Sequence, residues 1–484
     1  MSDLAHLDAV SALRAFRKLE LSPVELLDAV VAQSERVNGE RDTGINAFTE
    51  ALTDEARVAA KEAAATYLRA ARDGAPTPPL LGVPVATKEK HALAGRRLEQ
   101  GLSAHAGRTA TTDHPVVERI QQAGGVIHAR TTSPEFSCAT VTHSPMWGVT
   151  RNPWNLKATP GGSSGGAGAA LAAGMTTLAT ASDIAGSTRV PAGFTGTVGY
   201  KPPYGRIPGQ PPLSADWYRS DGPMARTVAD TALLAGVMSG RHPVDHQSWG
   251  AHGEPVMVAN NAAANLSRVR VGLSVRLGDY PVEPDVEAAT LDVVARLEHA
   301  GATIVPIDLP WTTDRVIRTI FAHFGHILGP ALERESGDVE RLAPYTQRFI
   351  ADARRARQRD SLVDSLAMDA AMQAELAAAM ADVDVLICPT NAVTALSADG
   401  DYLDGLIVGD TRLAHYWESH LTSPFNVANR CPVLALPSGL ASNGVPTSIQ
   451  VVGQPLDEQT VFNVAAAVEQ LAPSRPWPLA PRSA

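Results

Sequence analysis

Residues 159–174 read TPGGSSGGAGAALAAG, two adjacent serines in a bed of glycine followed by a run of alanine. Small residues at this density suit a helix packed closely against other backbone. The next segment, TTLATA (176–181), has the character of a short buried strand. Turn, helix and strand in this order point to an α/β sheet. The serines themselves admit three readings. A phosphate cradle would close on GK[ST], or follow a strand as GxGxxG, and neither pattern is here. Gly161-Gly162-Ser163-Ser164-Gly165 satisfies the G-x-S-x-G of a nucleophile elbow, but that motif needs a strand running into the turn. The preceding RNPWNLKATP has two prolines and a turn-forming composition instead. The third reading moves the nucleophile onward, to Ser182-Asp183-Ile184-Ala185-Gly186-Ser187-Thr188-Arg189. A serine at a strand end can lie beneath a row of backbone N–H groups suited to a developing oxyanion. Pro191 is expected to hold Val190 extended and to keep this loop from collapsing into helix.

Outward from this centre, helix and strand signals alternate. Ser22-Pro23-Val24-Glu25 is a capping box with proline at the first helical position, and a second helix is expected over 52–72. APTPPLLG breaks the chain, and GVPVAT (82–87) reads as a buried strand. RVRVGLSV, ATIVPIDL, VDVLICPT (383–390), CPVLALPSG (431–439) and PTSIQVVG (446–453) read as further strands. Residues 311–380 are almost entirely helical in pattern, and a last helix is expected near 458–471. Strands alternating with helices imply an α/β sheet covered on both faces.

Composition narrows the function classes. The 484 residues are 44% apolar and 19% charged, an ordinary globular balance with ample core. That length suggests two or three domains, or one large α/β sheet enzyme. A net charge of −10 argues against a nucleic-acid surface. Cys138, Cys388 and Cys431 are few and far apart, which favours buried reduced thiols over a disulfide framework. The N-terminus has no apolar signal core, and no run of about 18 apolar residues occurs, so a cytoplasmic protein without a membrane span is expected. His323 and His326 stand at i, i+3, but without a companion carboxylate pattern they read as packed or solvated.

At this point GGSSGGAGAALAAG followed by SDIAGSTRVPAGFTGTVGYKP resembles the signature of the amidase signature family of serine hydrolases, with Ser163 and Ser187 at the family's spacing of 24 positions. GVPVATKEKHALAG resembles the segment carrying the family's catalytic lysine, here Lys88. GPMARTVAD, VDVLICPT and SPFNVANRCPVLALPSG resemble further family blocks, so the likeness runs from about residue 20 to 470. The resemblance implies a single domain over 1–484, built on a large mixed, mostly parallel sheet flanked by helices on both faces. Residues 1–75 would form an N-terminal helical segment, 82–240 the catalytic core and 311–380 a helical cap over the substrate.

The resemblance also implies a mechanism. Ser187 is the nucleophile, and Ser163, held by a cis peptide bond after Gly162, relays its proton to Lys88. The backbone N–H groups of Ile184, Ala185, Gly186 and Ser187 hold the oxyanion. Lysine must be uncharged to accept a proton, and burial supplies that condition. Ser164 is expected to cap the following helix. Asp183 and Arg189 are read as an ion pair supporting the Ser187 loop, and Lys90 as a bystander. No cofactor and no metal are implied. The chain departs from the family at Ala185, where glycine is common, at Glu89, where aspartate is usual, and in RTTSPEFSC.

Residues 203–220, PYGRIPGQPPLSADWYRS, can lie over a pocket, with Arg206, Trp217 and Tyr218 as substrate contacts, or Trp217 and Tyr218 can only pack the loop against the core. This region resembles bacterial amidases that also cleave carbamates, the urethanases. The expected partner is therefore a small aryl amide or aryl carbamate, acted on by a monomer or homodimer with no nucleic acid and no membrane involved. The alternatives are the A subunit of a glutamyl-tRNA amidotransferase, whose usual EFA-MGSS run is absent from PEFSCATVTH, or an inactive scaffold of the same fold.

Overall fold

The computed structural model describes residues 2–39, 44–250, 256–474 and 476–478. An 11-stranded sheet runs through its middle. In chain order the strands are β1 (Phe48–Ala51), β2 (Pro84–Lys88), β3 (Val126–Thr131), β4 (Leu178–Asp183), β5 (Val198–Lys201), β6 (Ser220–Ala225), β7 (Arg270–Leu273), β8 (Thr303–Pro306), β9 (Val385–Pro389), β10 (Val433–Leu440) and β11 (Pro446–Gly453). Their order across the sheet is β1-β3-β2-β4-β6-β5-β10-β11-β9-β7-β8. The expected mixed sheet is present. β2 runs parallel to β3 and β4, and β7 to β8 and β9, while the strands between these blocks pair antiparallel. Parallel neighbours need a crossover, and helices Pro115–Gln122, Gly165–Ala172 and Pro284–His299 provide it.

Helices cover both faces, so β2, β4 and β9 are buried along their whole length and carry apolar and small residues without alternation. The Ser22–Glu25 capping box forms at the start of helix Pro23–Val37, and the helix expected over 52–72 spans Thr53–Asp73. The 311–380 region folds as four helices, Thr313–His326, Leu328–Ser336, Pro344–Arg359 and Leu362–Ala379. Their Phe321, Phe324 and Phe349 belong, with Trp417, to one large apolar cluster that also takes in Ile184 and Ala185 of the loop before Ser187. All three cysteines are free and buried, as expected. No described helix is long and apolar enough to cross a membrane.

One local expectation fails. Pro191 does not hold the chain extended but lies inside a short helix, Arg189–Thr195. The N–H that proline lacks falls in the first turn, where helical N–H groups have no intrahelical acceptor, so the ring costs nothing there.

Candidate active site

Three segments converge at the C-terminal end of β2. Its parallel ladder with β4 (Val85 opposite Leu178, Ala86 opposite Ala179) sets Lys88 beside Ser182 and the loop that follows. The glycine bed lets the Ser163 turn approach closely: a Cβ on Gly162 would stand 2.4 Å from the Val141 carbonyl oxygen. Lys88 is fully buried, and its Nζ lies 2.7 Å from Ser163 Oγ, 3.0 Å from Ser164 Oγ and 3.1 Å from Ser182 Oγ. Burial first, and then the positive charge of Lys90, push the Lys88 amine well below its ordinary value. The Gly162–Ser163 peptide is cis. Ser164 does stand at the N-cap position of helix Gly165–Ala172, but its side chain makes no capping bond. Its hydroxyl faces Lys88 instead, because a buried amine offers a stronger partner than the first-turn N–H groups.

Ser187 is buried, and its carbonyl accepts the Ser164 N–H at 3.1 Å, which ties the two serine loops together. Its hydroxyl has no hydrogen-bond partner among the described residues. Asp183 and Arg189 form the expected ion pair, fully buried, with Nη2 to Oδ1 at 2.9 Å and Nε to Oδ2 at 3.0 Å. Arg189 also reaches the Thr422 carbonyl, Gln450 Oε1 and Asn426 Oδ1. Burial works against the Asp183 charge, yet Arg189 and Asn426 hold its carboxyl at about 2.

The anion-binding row needs correction at Gly186. Its N–H donates to Asp183 Oδ1 at 2.8 Å and is withdrawn from the row. The N–H groups of Ile184, Ala185 and Ser187 have no acceptor among the described residues. Gly186 serves the loop in another way. It has φ 126°, and a Cβ there would stand 2.0 Å from Thr422 Oγ1, whose hydroxyl donates to the Ala185 carbonyl at 2.6 Å. Gly186→Ala is therefore expected to displace the loop and lower turnover by about 100-fold or more, since a misplacement near 1 Å can cost that much. Steady-state kinetics checks it, and wild-type rates would refute it.

The three residues read as substrate contacts are placed differently. Arg206 is buried, with Nε 2.7 Å from Glu458 Oε2, so an internal ion pair occupies its guanidinium. Trp217 Nε1 donates to Asp369 Oδ2 at 3.1 Å, and the Tyr218 hydroxyl donates to Asp369 Oδ1. Tyr218 also stacks on His323 at 3.7 Å between ring centroids. Both aromatics fasten the loop to the helical block, which is the packing alternative. His323 and His326 part company: His323 Nε2 lies 2.7 Å from Asp216, and His326 Nε2 donates to the Asp360 carbonyl.

Sequence reasoning missed what supports Lys88 from behind. Its backbone N–H donates to Thr180 Oγ1 at 2.9 Å, the Thr180 hydroxyl donates to His91 Nδ1 at 2.8 Å, and His91 Nε2 donates to Asp221 Oδ1 at 3.0 Å. His114 Nε2 approaches Asp221 Oδ2 at 3.4 Å. Ligand atoms of His91, His114 and Asp221 lie within 4.8 Å of one another, which is metal-site spacing. The Val116 N–H donates to His114 Nδ1, however, so the imidazole lone pair is at Nδ1 and the proton at Nε2, aimed at the carboxylate. The cluster is thus a hydrogen-bonded unit around Asp221. Glu89, the unusual residue after Lys88, accepts the N–H groups of Glu99 and Gln100, and burial raises its carboxyl to about 7. No local pattern signals these partners, which come from four separate strands and turns.

The chain is similar to known proteins in sequence and in fold. The profile of the family described as Amidase matches residues 25–462. The A subunit of the glutamyl-tRNA(Gln) amidotransferase of Synechococcus sp. (strain CC9605) is 33% identical over 486 residues, covering 94% of each chain. The putative amidase AmiB2 of Mycobacterium tuberculosis is 32% identical, covering 98% of each. Among solved structures, a bacterial aryl acylamidase of the amidase signature enzymes superposes with a TM-score of 0.83 at 23% identity, over 96% of each chain, a likeness of fold.

Proposed function

The chain belongs to the Amidase family, an affiliation that supports a C–N hydrolase, and we propose that it cleaves small aryl amides and aryl carbamates through an acyl-enzyme on Ser187. Ser187 Oγ attacks the carbonyl carbon as its proton passes to Ser163 and the Ser163 proton passes to Lys88. The N–H groups of Ile184, Ala185 and Ser187 receive the oxyanion. Collapse expels the amine, which takes the proton back from Lys88 through Ser163. Water then adds to the acyl carbonyl and releases the acid. From a carbamate cleaved at its C–N bond the acyl group is an alkoxycarbonyl, and the acid it yields loses carbon dioxide.

The observation that carries this reading is the fully buried Lys88 amine 2.7 Å from the Ser163 hydroxyl. Such an amine is poised as a base, whereas a solvated lysine is not. Phe321, Phe324, Phe349 and Trp417 belong to the same large apolar cluster as Ile184 and Ala185, which supports an apolar, aryl-accepting surrounding.

The test is a fluorophosphonate probe combined with a screen of anilides, aliphatic amides, glutamine and aryl carbamates. Labelling at Ser187 is expected, with anilide or aryl carbamate turned over at least about tenfold better in kcat/KM than glutamine, the discrimination a mismatched pocket gives. EDTA is expected to leave the rates unchanged. Glutamine as the best substrate would favour the reading as an amidotransferase component, and absence of labelling would favour an inactive scaffold.

A further inference from the structure

Where the chain leaves β2, at Lys90, lies a cleft of about 440 Å³, the size of a small-molecule site. Its walls include Lys90, Arg219, His114, Asp221, Phe136 and Leu213. The acids in it are already engaged: Asp221 takes both imidazoles, and Glu335 lies 3.3 Å from Arg108 and 3.4 Å from Arg334. Arg108 and Arg334 are thereby compensated. The side chains of Lys90 and Arg219 have no ion-pair or hydrogen-bond partner within bonding distance among the described residues. Burial lowers the Lys90 amine to about 7, with the Arg219 charge beside it, while the Asp221 and Asp216 carboxylates favour its charge from farther off. Arg219 Nε is moreover buried without an acceptor. A buried donor left unpaired is costly unless a ligand completes it. Lys90, read from the sequence as a bystander, lines this cleft together with Arg219.

Both cations stand next to the candidate catalytic segments. Lys90 is two residues beyond Lys88. Arg219 immediately precedes β6, whose Ser220 and Asp221 pair with Asp183 and Ser182 of β4. Phe136 lines the cleft and shares an apolar cluster with Ile184 and Ala185. A substrate bound with its carbonyl at Ser187 can thus extend an anionic end into the cleft.

We propose that Lys90 and Arg219 form a carboxylate subsite, so that the preferred substrates are amides whose acyl chain ends in a second acid group, such as half-amides of short dicarboxylic acids. The proposal rests on the hydrolase reading above and deepens it. An anion placed between them gains a charge-assisted hydrogen bond from the Arg219 guanidinium and favours the protonated form of the Lys90 amine, which burial first and then the Arg219 charge lower to about 7. The bidentate guanidinium supplies the orientation and the ammonium a point charge.

The experiment uses the full chain and a matched pair, succinanilic acid and its uncharged methyl ester, together with calorimetric binding of succinate. Wild type is expected to favour the acid by about 10-fold or more in kcat/KM, the effect of one hydrogen-bonded charge. Arg219→Gln is expected to lower that ratio at least about tenfold, chiefly through KM, and to weaken succinate binding by a similar factor, while Arg219→Lys restores part of both. Lys90→Met serves as a second variant if circular dichroism shows Arg219→Gln misfolded. A ratio near one in wild type, or succinate binding equal in wild type and both variants, overturns the subsite and leaves the hydrolase standing. Inorganic phosphate bound as well as succinate, with no preference between the anilides, also overturns it. No hydrolysis of either anilide, with succinate binding still lost in the variants, refutes the hydrolase reading and retains the anion site.

Discussion

Ser187→Ala is expected to lower amide turnover by about 10⁴-fold or more, with the circular dichroism spectrum unchanged, because removing a nucleophile leaves only binding and oxyanion stabilisation. No neighbour can take its place. The Ser163 and Ser164 hydroxyls face the Lys88 amine, and burial pushes the Cys138 thiol up to about 12, too high for a useful thiolate. Lys88→Met is expected to cost a comparable factor, since groups acting as one unit are not additive, and the double variant should be little worse than either single one. The amine accepts a proton only when uncharged. Burial lowers its value well below the ordinary lysine range, and kcat/KM should fall on the acid side as the amine takes up a proton. Single-turnover kinetics with a chromogenic anilide reads all of this. Wild-type turnover by Ser187→Ala would remove the assignment, and a flat acid limb would remove the lysine from the proton path.

The order of secondary structure was legible because each element carries its own local signal. Ser22 and Glu25 cap one helix, Gly74 stops the next with φ 66°, and the long apolar strands of the sheet centre cannot be solvated. The lysine and the two serines were legible because the segments that carry them resemble those of the amidase signature family, with Ser163 and Ser187 at that family's spacing. What stayed hidden depends on partners far away in the chain. Arg206 meets Glu458, more than 250 positions on, and nothing local to a lid-like loop announces that pairing. Competition between partners was also invisible. Asp183 takes the Gly186 N–H from the anion-binding row, and Lys88 takes the Ser164 hydroxyl from the helix terminus, because in each case a charged or basic buried group outbids a neutral one. The Lys90–Arg219 pair could not be read either, since it depends on Asp221 and Glu335 being occupied elsewhere.

Arg189→Met is expected to destabilise the protein by about 3–5 kcal/mol, the cost of removing one partner of a buried ion pair and stranding the other charge. Arg189 is fully buried and satisfies Asp183, Gln450, Asn426 and the Thr422 carbonyl together, so four groups on three segments lose a shared partner at once. Asp183→Asn is the informative companion. It removes the charge and keeps one side-chain oxygen, which can accept the Gly186 or the Thr188 N–H but not both, so it strands one backbone donor instead of a buried charge and should cost less than Arg189→Met. The double variant should cost less than the two singles combined, because each single change leaves the other group unpaired. The pH dependence has a definite sign. The Asp183 carboxyl titrates at about 2 in the folded chain against an ordinary value near 3.9, so its contribution is present above about pH 4 and disappears as pH falls towards 2. Denaturant titration at pH 7 and pH 3 measures both effects. Equal stability of wild type and Arg189→Met at pH 7 would mean that the loop carrying Ser187 is held by packing against Thr422 and Ser423 alone.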